Sequence, residues 1–126
     1  MTRSFLKRKN EQGAAAVEFA FVLPILLLLV FGIIEFGLVF NRYISVTHAA
    51  REGVRVYALT DDVLTGETAG EAASPDLVTD PIDCVAVPAV APSTQVSMTC
   101  STSYNFALFV IAGPLGLNST ATMTSE

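Results

Sequence analysis

This chain has almost none of the side chains that run reactions. Its 126 residues include one histidine, His48, and two cysteines, Cys84 and Cys100. One imidazole and two distant thiols do not make a zinc site. No glycine-rich phosphate loop and no nucleophile motif occurs. An enzyme is therefore not expected, and neither is a metal or cofactor. His48 is read as a solvated or interfacial side chain. Basic residues are scarce in the outer part of the chain: beyond Phe40 there are three arginines against nine acids. A nucleic-acid partner wants a basic patch, so none is expected. The longest gap lies between Phe19 and Ile34, where no charged or hydrogen-bonding side chain occurs at all.

That gap is the centre of an apolar segment, Ala14 to Phe40, whose only ionisable groups are Glu18 and Glu35. About 20 mostly apolar residues cross a bilayer as a helix, and a helix satisfies its own backbone polar groups in lipid. The composition predicts a transmembrane helix over 14–40, with membrane lipid as its surroundings. Pro24 removes one hydrogen bond inside it and is expected to kink it. Residues 1–13 precede it as a polar leader, with Arg3, Lys7, Arg8 and Lys9 against Glu11. The leader is expected to be disordered or cytoplasmic. A basic leader and an acidic remainder predict a single-pass inner-membrane topology, N-terminus in the cytoplasm and C-terminal domain outside it. The apolar run is too long for an ordinary cleaved signal peptide, and Glu35-Phe36-Gly37 follows it without a small-residue cleavage site.

Beyond the span the helix is expected to continue over 41–59 as an amphipathic extension. Tyr43, Val46, Ala50, Val54 and Tyr57 recur at spacings of 3, 4, 4 and 3 and make one apolar stripe. Ser45, Ala49 and Gly53 form a ladder of small residues that permits close helix approach. The two halves together predict one helix of roughly 45 residues, about 65 Å long. Glu35 falls near the outer headgroups. It is either an interfacial residue or one half of an intersubunit pair with an arginine such as Arg42 of a neighbour.

Residues 60–126 are expected to be a small extracytoplasmic β-rich domain, of a size at which a core alone is marginal. From Thr60 to Pro81 the sequence is acidic and small, punctuated by Gly66, Gly70, Pro75 and Pro81. It reads as a loop with room for a short helix around 67–73. Cys84 to Val87 is a short apolar run, interrupted afterwards by Pro88 and Pro92. Gln95 to Phe106 alternates throughout, with Val96, Met98, Cys100, Thr102, Tyr104 and Phe106 on one face, and predicts a half-buried strand. Ala107 to Leu117 is apolar and broken at Gly113-Pro114, so it reads as a connection packed under the sheet or an exposed partner-binding loop. Asn118 to Ser125 alternates again and predicts a second, antiparallel strand. An oxidising compartment favours a disulfide between Cys84 and Cys100. The alternative is two unpaired buried cysteines.

The junction of leader and helix carries the functional signal. Lys7-Arg8-Lys9-Asn10-Glu11-Gln12 ends in Gly13; Ala14 opens the apolar helix, with Glu18 as its fifth residue and Phe19 as its sixth. This resembles the substrate of a prepilin peptidase, which cuts after the glycine at the cytoplasmic membrane face. Gly13 has no Cβ and lets another protein approach its backbone closely. Cutting there would leave an amine on Ala14 one turn from Glu18. A carboxylate in apolar surroundings is costly unless paired, and the Ala14 amine of a neighbouring subunit would pair with it. The bland alternative is a Glu18 that reaches the headgroups of an uncut anchor.

Gly13-Ala-Ala-Ala-Val-Glu-Phe-Ala-Phe-Val-Leu-Pro, then Gly32-Ile-Ile-Glu-Phe-Gly, then His48-Ala-Ala-Arg-Glu-Gly-Val-Arg, resembles the TadE-like family of bacterial pseudopilins, the minor pilins of the tight-adherence (Flp) pilus. The resemblance covers about residues 13–55. The rest is similar only in layout, two late strands ending in an Ala-x-Met segment. An α+β membrane protein is implied, with a long N-terminal helix, half transmembrane and half amphipathic, followed by a small antiparallel pilin-like sheet. The implied partners are a prepilin peptidase, other pilin and pseudopilin subunits, and the pilus assembly platform. Ala14 after the glycine, in place of an aromatic or methionine, fits the tight-adherence branch. The chain is longer than the major Flp pilin, which is little more than the helix. The other class of function left open is an uncut single-span envelope protein whose outer domain binds a partner.

Overall fold

A computed structural model describes residues 4–74, 80–89, 94–108 and 111–125, with side chains described for all of these except 4–12, 106–108 and 111–112. Arg3, Pro75 and Pro92 lie outside the described residues. Two helices and three strands follow in order: α1 (Ser4–Thr60), α2 (Val63–Ala72), β1 (Asp83–Val87), β2 (Gln95–Leu108) and β3 (Ile111–Thr124). One long apolar N-terminal helix therefore leads into a small antiparallel sheet, the α+β arrangement expected of a pilin-like chain.

α1 is longer than its apolar pattern. It has 57 residues and runs without interruption through Pro24, about 85 Å at 1.5 Å per residue. Its start at Ser4 corrects the expectation of an irregular leader before Ala14. The leader lacks apolar periodicity, but Lys, Arg, Glu and Gln are good helix formers. Adding a turn to an existing helix avoids the cost of a new nucleus. α1 ends at Thr60, just before Asp61, whose φ of 53° is left-handed, a conformation that Asp tolerates better than most residues. The Asp61 N–H donates to the Tyr57 carbonyl at 2.9 Å.

α2 corrects the loop expected over 60–81 and begins four residues before the short helix envisaged there. Asp62 caps it, its carboxylate accepting from the Thr65 N–H at 3.3 Å and from the Thr65 hydroxyl. Gly66 and Gly70 each cost a free helix about 1 kcal/mol relative to alanine. Packing explains their presence, because both are buried against α1.

The sheet is a meander of order β1-β2-β3, antiparallel throughout. Asp83–Val87 pairs with Ser97–Ser101, which brings Cys84 opposite Cys100. β2 and β3 pair over their whole length, from Gln95↔Thr124 to Leu108↔Ile111. The described residues of the apolar stretch, 107–108 and 111–117, thus belong to the two strands of a long hairpin, a correction to the connection expected there; Phe109 and Val110 lie outside the described residues. Phe, Val and Ile favour strands, and Gly113-Pro114 is accommodated because β3 is an edge strand, where a missing N–H is tolerated.

α1 lies on one face of the sheet. Val46, Ala49, Ala50, Val54 and Tyr57 from the helix meet Ile82, Cys84, Val96, Met98 and Cys100. Alternation in β2 is kept: Val96, Met98, Cys100 and Thr102 are buried, whereas Gln95, Ser101, Ser103 and Asn105 are exposed. The helix stripe differs from its expected course at one end. Tyr43 is exposed and Arg42 is buried in its place, because Arg42 has partners on the sheet side.

Candidate processing and assembly site

The helix start is bare. Gly13, Ala14, Glu18 and Phe19 all lie on continuous helix and are exposed. A Cβ built on Gly13 would meet nothing within 4 Å. Among the described residues none pairs with Glu18. Ala14 and Glu18 are four apart and therefore share a face. The most apolar part of α1 is likewise unburied, with Phe21, Ile25 and Ile33 exposed. Among the described residues one helix is long and apolar enough to cross a membrane, consistent with a single span. Gly13 to Ile34, the stretch below Glu35, has 22 residues, enough for a hydrocarbon core about 30 Å thick.

Farther along, Glu35 and Arg42 are engaged within the chain. Tyr104 donates its phenolic hydrogen to Glu35 Oε2 at 2.7 Å. Arg42 lies over the Tyr104 ring, 4.8 Å from its centroid, a cation–π contact. Its Nη1 also donates to Asp80 Oδ2 and to the Ser103 carbonyl, both at 3.2 Å. Glu35 and Arg42 are two turns apart on α1, so Tyr104 bridges them. The intersubunit Glu35–Arg42 pair weighed from sequence thus meets a chain in which both residues already have partners. The Glu35 hydrogen bond is the first cause of a Tyr104 pKa raised above the ordinary 10.0; burial and the carboxylate's charge add to it, and Arg42 opposes it.

Ser45, Ala49 and Gly53 are buried, and the last two allow the expected close approach toward a helix of the same chain. A Cβ on Gly66 would lie 3.1 Å from the Gly53 carbonyl oxygen, and one on Gly70 would lie 3.0 Å from that of Ala49. Ser45 turns its hydroxyl back to the Asn41 carbonyl at 3.2 Å. Sequence reading took Gly66 and Gly70 as loop punctuation. The available signal was their four-residue spacing, which matches Ala49 and Gly53.

Cys84 and Cys100 are disulfide-bonded, with Cα atoms 4.1 Å apart. Glu67 of α2 accepts the Ala86 N–H at 2.9 Å, which ties α2 to the sheet beside the bridge. His48 is exposed and lines an open groove between α1 and β3. On the same exposed face Arg55 donates to Glu52 at 2.6 and 3.0 Å; that hydrogen bond holds the Glu52 carboxyl low and raises Arg55. No group of His, Cys, Asp or Glu that could hold a metal ion occurs among the described residues.

No curated protein and no solved structure matches the chain at a significant level. Residues 13–55, the apolar helix with its extension, match the family described as TadE-like protein. This match covers the part of α1 that carries Gly13, Glu18, Glu35 and Arg42, about a third of the chain, and supports membership in the TadE-like family.

Proposed function

We propose that this protein is a pseudopilin, or minor pilin, of a tight-adherence pilus, cut after Gly13 by a prepilin peptidase and required for pilus assembly. The family match and the single apolar helix support a pilin or pseudopilin role. The finer reading is carried by one observation: Gly13 to Phe19 is exposed on all sides of α1 and makes no contact with the rest of the fold that would hinder a peptidase. The basic leader stays in the cytoplasm and the sheet domain lies on the other side of the membrane. After the cut, the Ala14 amine of one subunit neutralises Glu18 of the next. That pairing offsets the cost of a carboxylate at the edge of the hydrocarbon, and the N-terminal end of the shortened helix favours a negative group as well. The other pilin and pseudopilin subunits and the assembly platform are the partners of this bare helix.

Two substitutions test the proposal. Gly13→Leu places a large side chain at the point of closest approach, and the uncut precursor should accumulate in a cell with active peptidase. Glu18→Ala should still be cut, yet should give no pilus. Normal cutting of Gly13→Leu together with normal piliation by Glu18→Ala would leave an uncut or indifferent envelope protein as the better description.

A further inference from the structure

The two edges of the sheet differ. Ala86 of β1 directs its N–H away from β2 and into the Glu67 carboxylate at 2.9 Å, so α2 covers that edge. Antiparallel pairs alternate between hydrogen-bonded and non-bonded positions. Ala86↔Met98 is therefore a non-bonded pair, and Met98 turns its backbone groups toward β3, where it pairs with Ala121. The odd-numbered residues of β3 thus bond to β2. The Ser125 N–H, which reaches the Thr94 carbonyl at 2.9 Å, keeps the same phase. Asn118, Thr120, Thr122 and Thr124 then point their N–H and carbonyl groups off the sheet. All four are exposed, and among the described residues none receives those groups. Proteins blunt a free edge with charge, proline or a bulge. From Leu115 to Thr124 β3 has no charged residue and no proline, and its register with β2 is unbroken.

The floor beside that edge is cationic. An open groove runs between β3 and the exposed side of α1, with Tyr43, Thr47, Arg51 and Thr120 in its lining. Beyond Arg42 the chain has three residues able to carry positive charge, His48, Arg51 and Arg55, and all three line this groove. Glu52 is the one acid among the described lining residues, and it is already bonded to Arg55. Arg51 is exposed and has no ion-pair partner among the described residues.

We propose that an extended acidic segment of a different subunit adds to β3 as a fourth strand over this groove, with an aspartate or glutamate facing Arg51. Strand addition takes its affinity from main-chain hydrogen bonds and its specificity from alternate side chains, and this edge offers both. A second copy of the chain does not match the charge. From Cys84 to Ser125 there is no charged residue, so β2 and β3 of a copy bring nothing to Arg51. β1, which starts at Asp83, is held between β2 and α2. A lipid headgroup does not fit either, because Arg51 stands roughly 24 Å beyond Glu35 along α1. This deepens the assembly reading above by giving the partner's chemistry, and it rests on that reading for the partner being another pilus subunit.

Thr122→p-benzoylphenylalanine places a photoreactive group at the open edge of the full chain, expressed in cells that carry the tight-adherence system. After irradiation, mass spectrometry identifies the segment joined to it and reads the N-terminus of the chain. A closed Cys84–Cys100 disulfide shows that each variant is folded. The expected adduct is to an extended, acidic segment of another pilin or pseudopilin. Arg51→Glu should lower its yield about tenfold through like-charge repulsion, and exchange of the partner's acid for lysine should restore it. Thr120→Pro removes one outward N–H without touching the β2 ladder and should lower the yield as well. An adduct to a second copy, an adduct indifferent to Arg51→Glu, or a folded and correctly cut chain with no protein adduct would overturn the inference alone. A chain that keeps residues 1–13 and gives no adduct would remove the pseudopilin reading and the inference together.

Discussion

Tyr104 donates a hydrogen bond at 2.7 Å to Glu35, a residue 69 positions earlier in the chain. The contact joins the sheet to the helix within the apolar segment, five residues before its end at Phe40. Arg42, stacked over the same ring and bonded to Asp80 and Ser103, closes the cluster. The sheet is thereby held along α1 from Glu35 toward its C-terminal end. The helix below Glu35 is left bare for membrane or neighbouring subunits.

Tyr104→Phe keeps the ring beneath Arg42 and removes only the donor. Hydrogen bonds to charged groups contribute about 1.5–3 kcal/mol; half-exposure of this one puts the expected loss at the low end. Denaturant unfolding in detergent measures it. The pH dependence has a definite sign. Because the folded-state pKa of Tyr104 is raised, the stabilisation is complete below the ordinary tyrosine value of 10.0 and is lost as pH rises through the higher folded-state value. Phenolate absorbance should show Tyr104 titrating late, and Glu35→Gln should bring it earlier. An unchanged titration in that variant would contradict the bond.

Gly66→Ala should destabilise the packing of α2 on α1. The new Cβ would stand 2.6 Å from Tyr57 Cβ, a backbone-anchored atom that cannot swing aside. Overpacking of this kind costs about 1–3 kcal/mol, only partly offset by the ~1 kcal/mol alanine gains in a helix. Gly113→Ala, with nothing within 4 Å, is the control and should unfold with the parent chain.

Loss of the disulfide is expected to cost about 3 kcal/mol by the chain-entropy argument for a loop of this size. The double change Cys84→Ala, Cys100→Ala tests this by its shift in denaturant midpoint. Mass spectrometry of non-reduced protein from the envelope should find no free thiol in the parent chain.

Acid should fray α2 first. The Thr65 hydroxyl bond holds Asp62 below its ordinary 3.8, against a smaller opposing effect of burial. Its cap is thus intact above 3.8 and lost as pH falls through the lower folded-state value. Asp62→Ala should remove that step from the amide-exchange profile of α2.

Where one periodicity ruled, the sequence was legible. The apolar run, the stripe of Val46, Ala50, Val54 and Tyr57, and the alternation of Val96 to Thr102 all lie where pattern reading puts them. Its failures share a cause: they depend on contacts distant in sequence. Gly66 and Gly70 look like a loop until Ala49 and Gly53 are placed against them. Ala107 to Leu117 has no polar–apolar alternation in its sequence to announce a strand. Arg42 displaces Tyr43 from the buried stripe only because Asp80, Ser103 and Tyr104 receive it. The junction Gly13 to Phe19 is exposed on α1, and its role as a processing site stays the proposal made above.

Topology is open to a direct reading. A phosphatase that folds only outside the cytoplasm, fused after Glu126, should be active. Activity of a cytoplasm-only reporter at the same position would reverse the orientation.

The central claim stands on the Gly13–Ala14 bond, and the N-terminus of the mature protein tests it most directly. The chain is purified from the envelope of a cell whose prepilin peptidase is active, and its first residues are sequenced. A mature chain of 113 residues beginning at Ala14 is the expected result, with the full-length form restored when the peptidase is inactivated. A chain that keeps residues 1–13 in the presence of active peptidase would contradict the account.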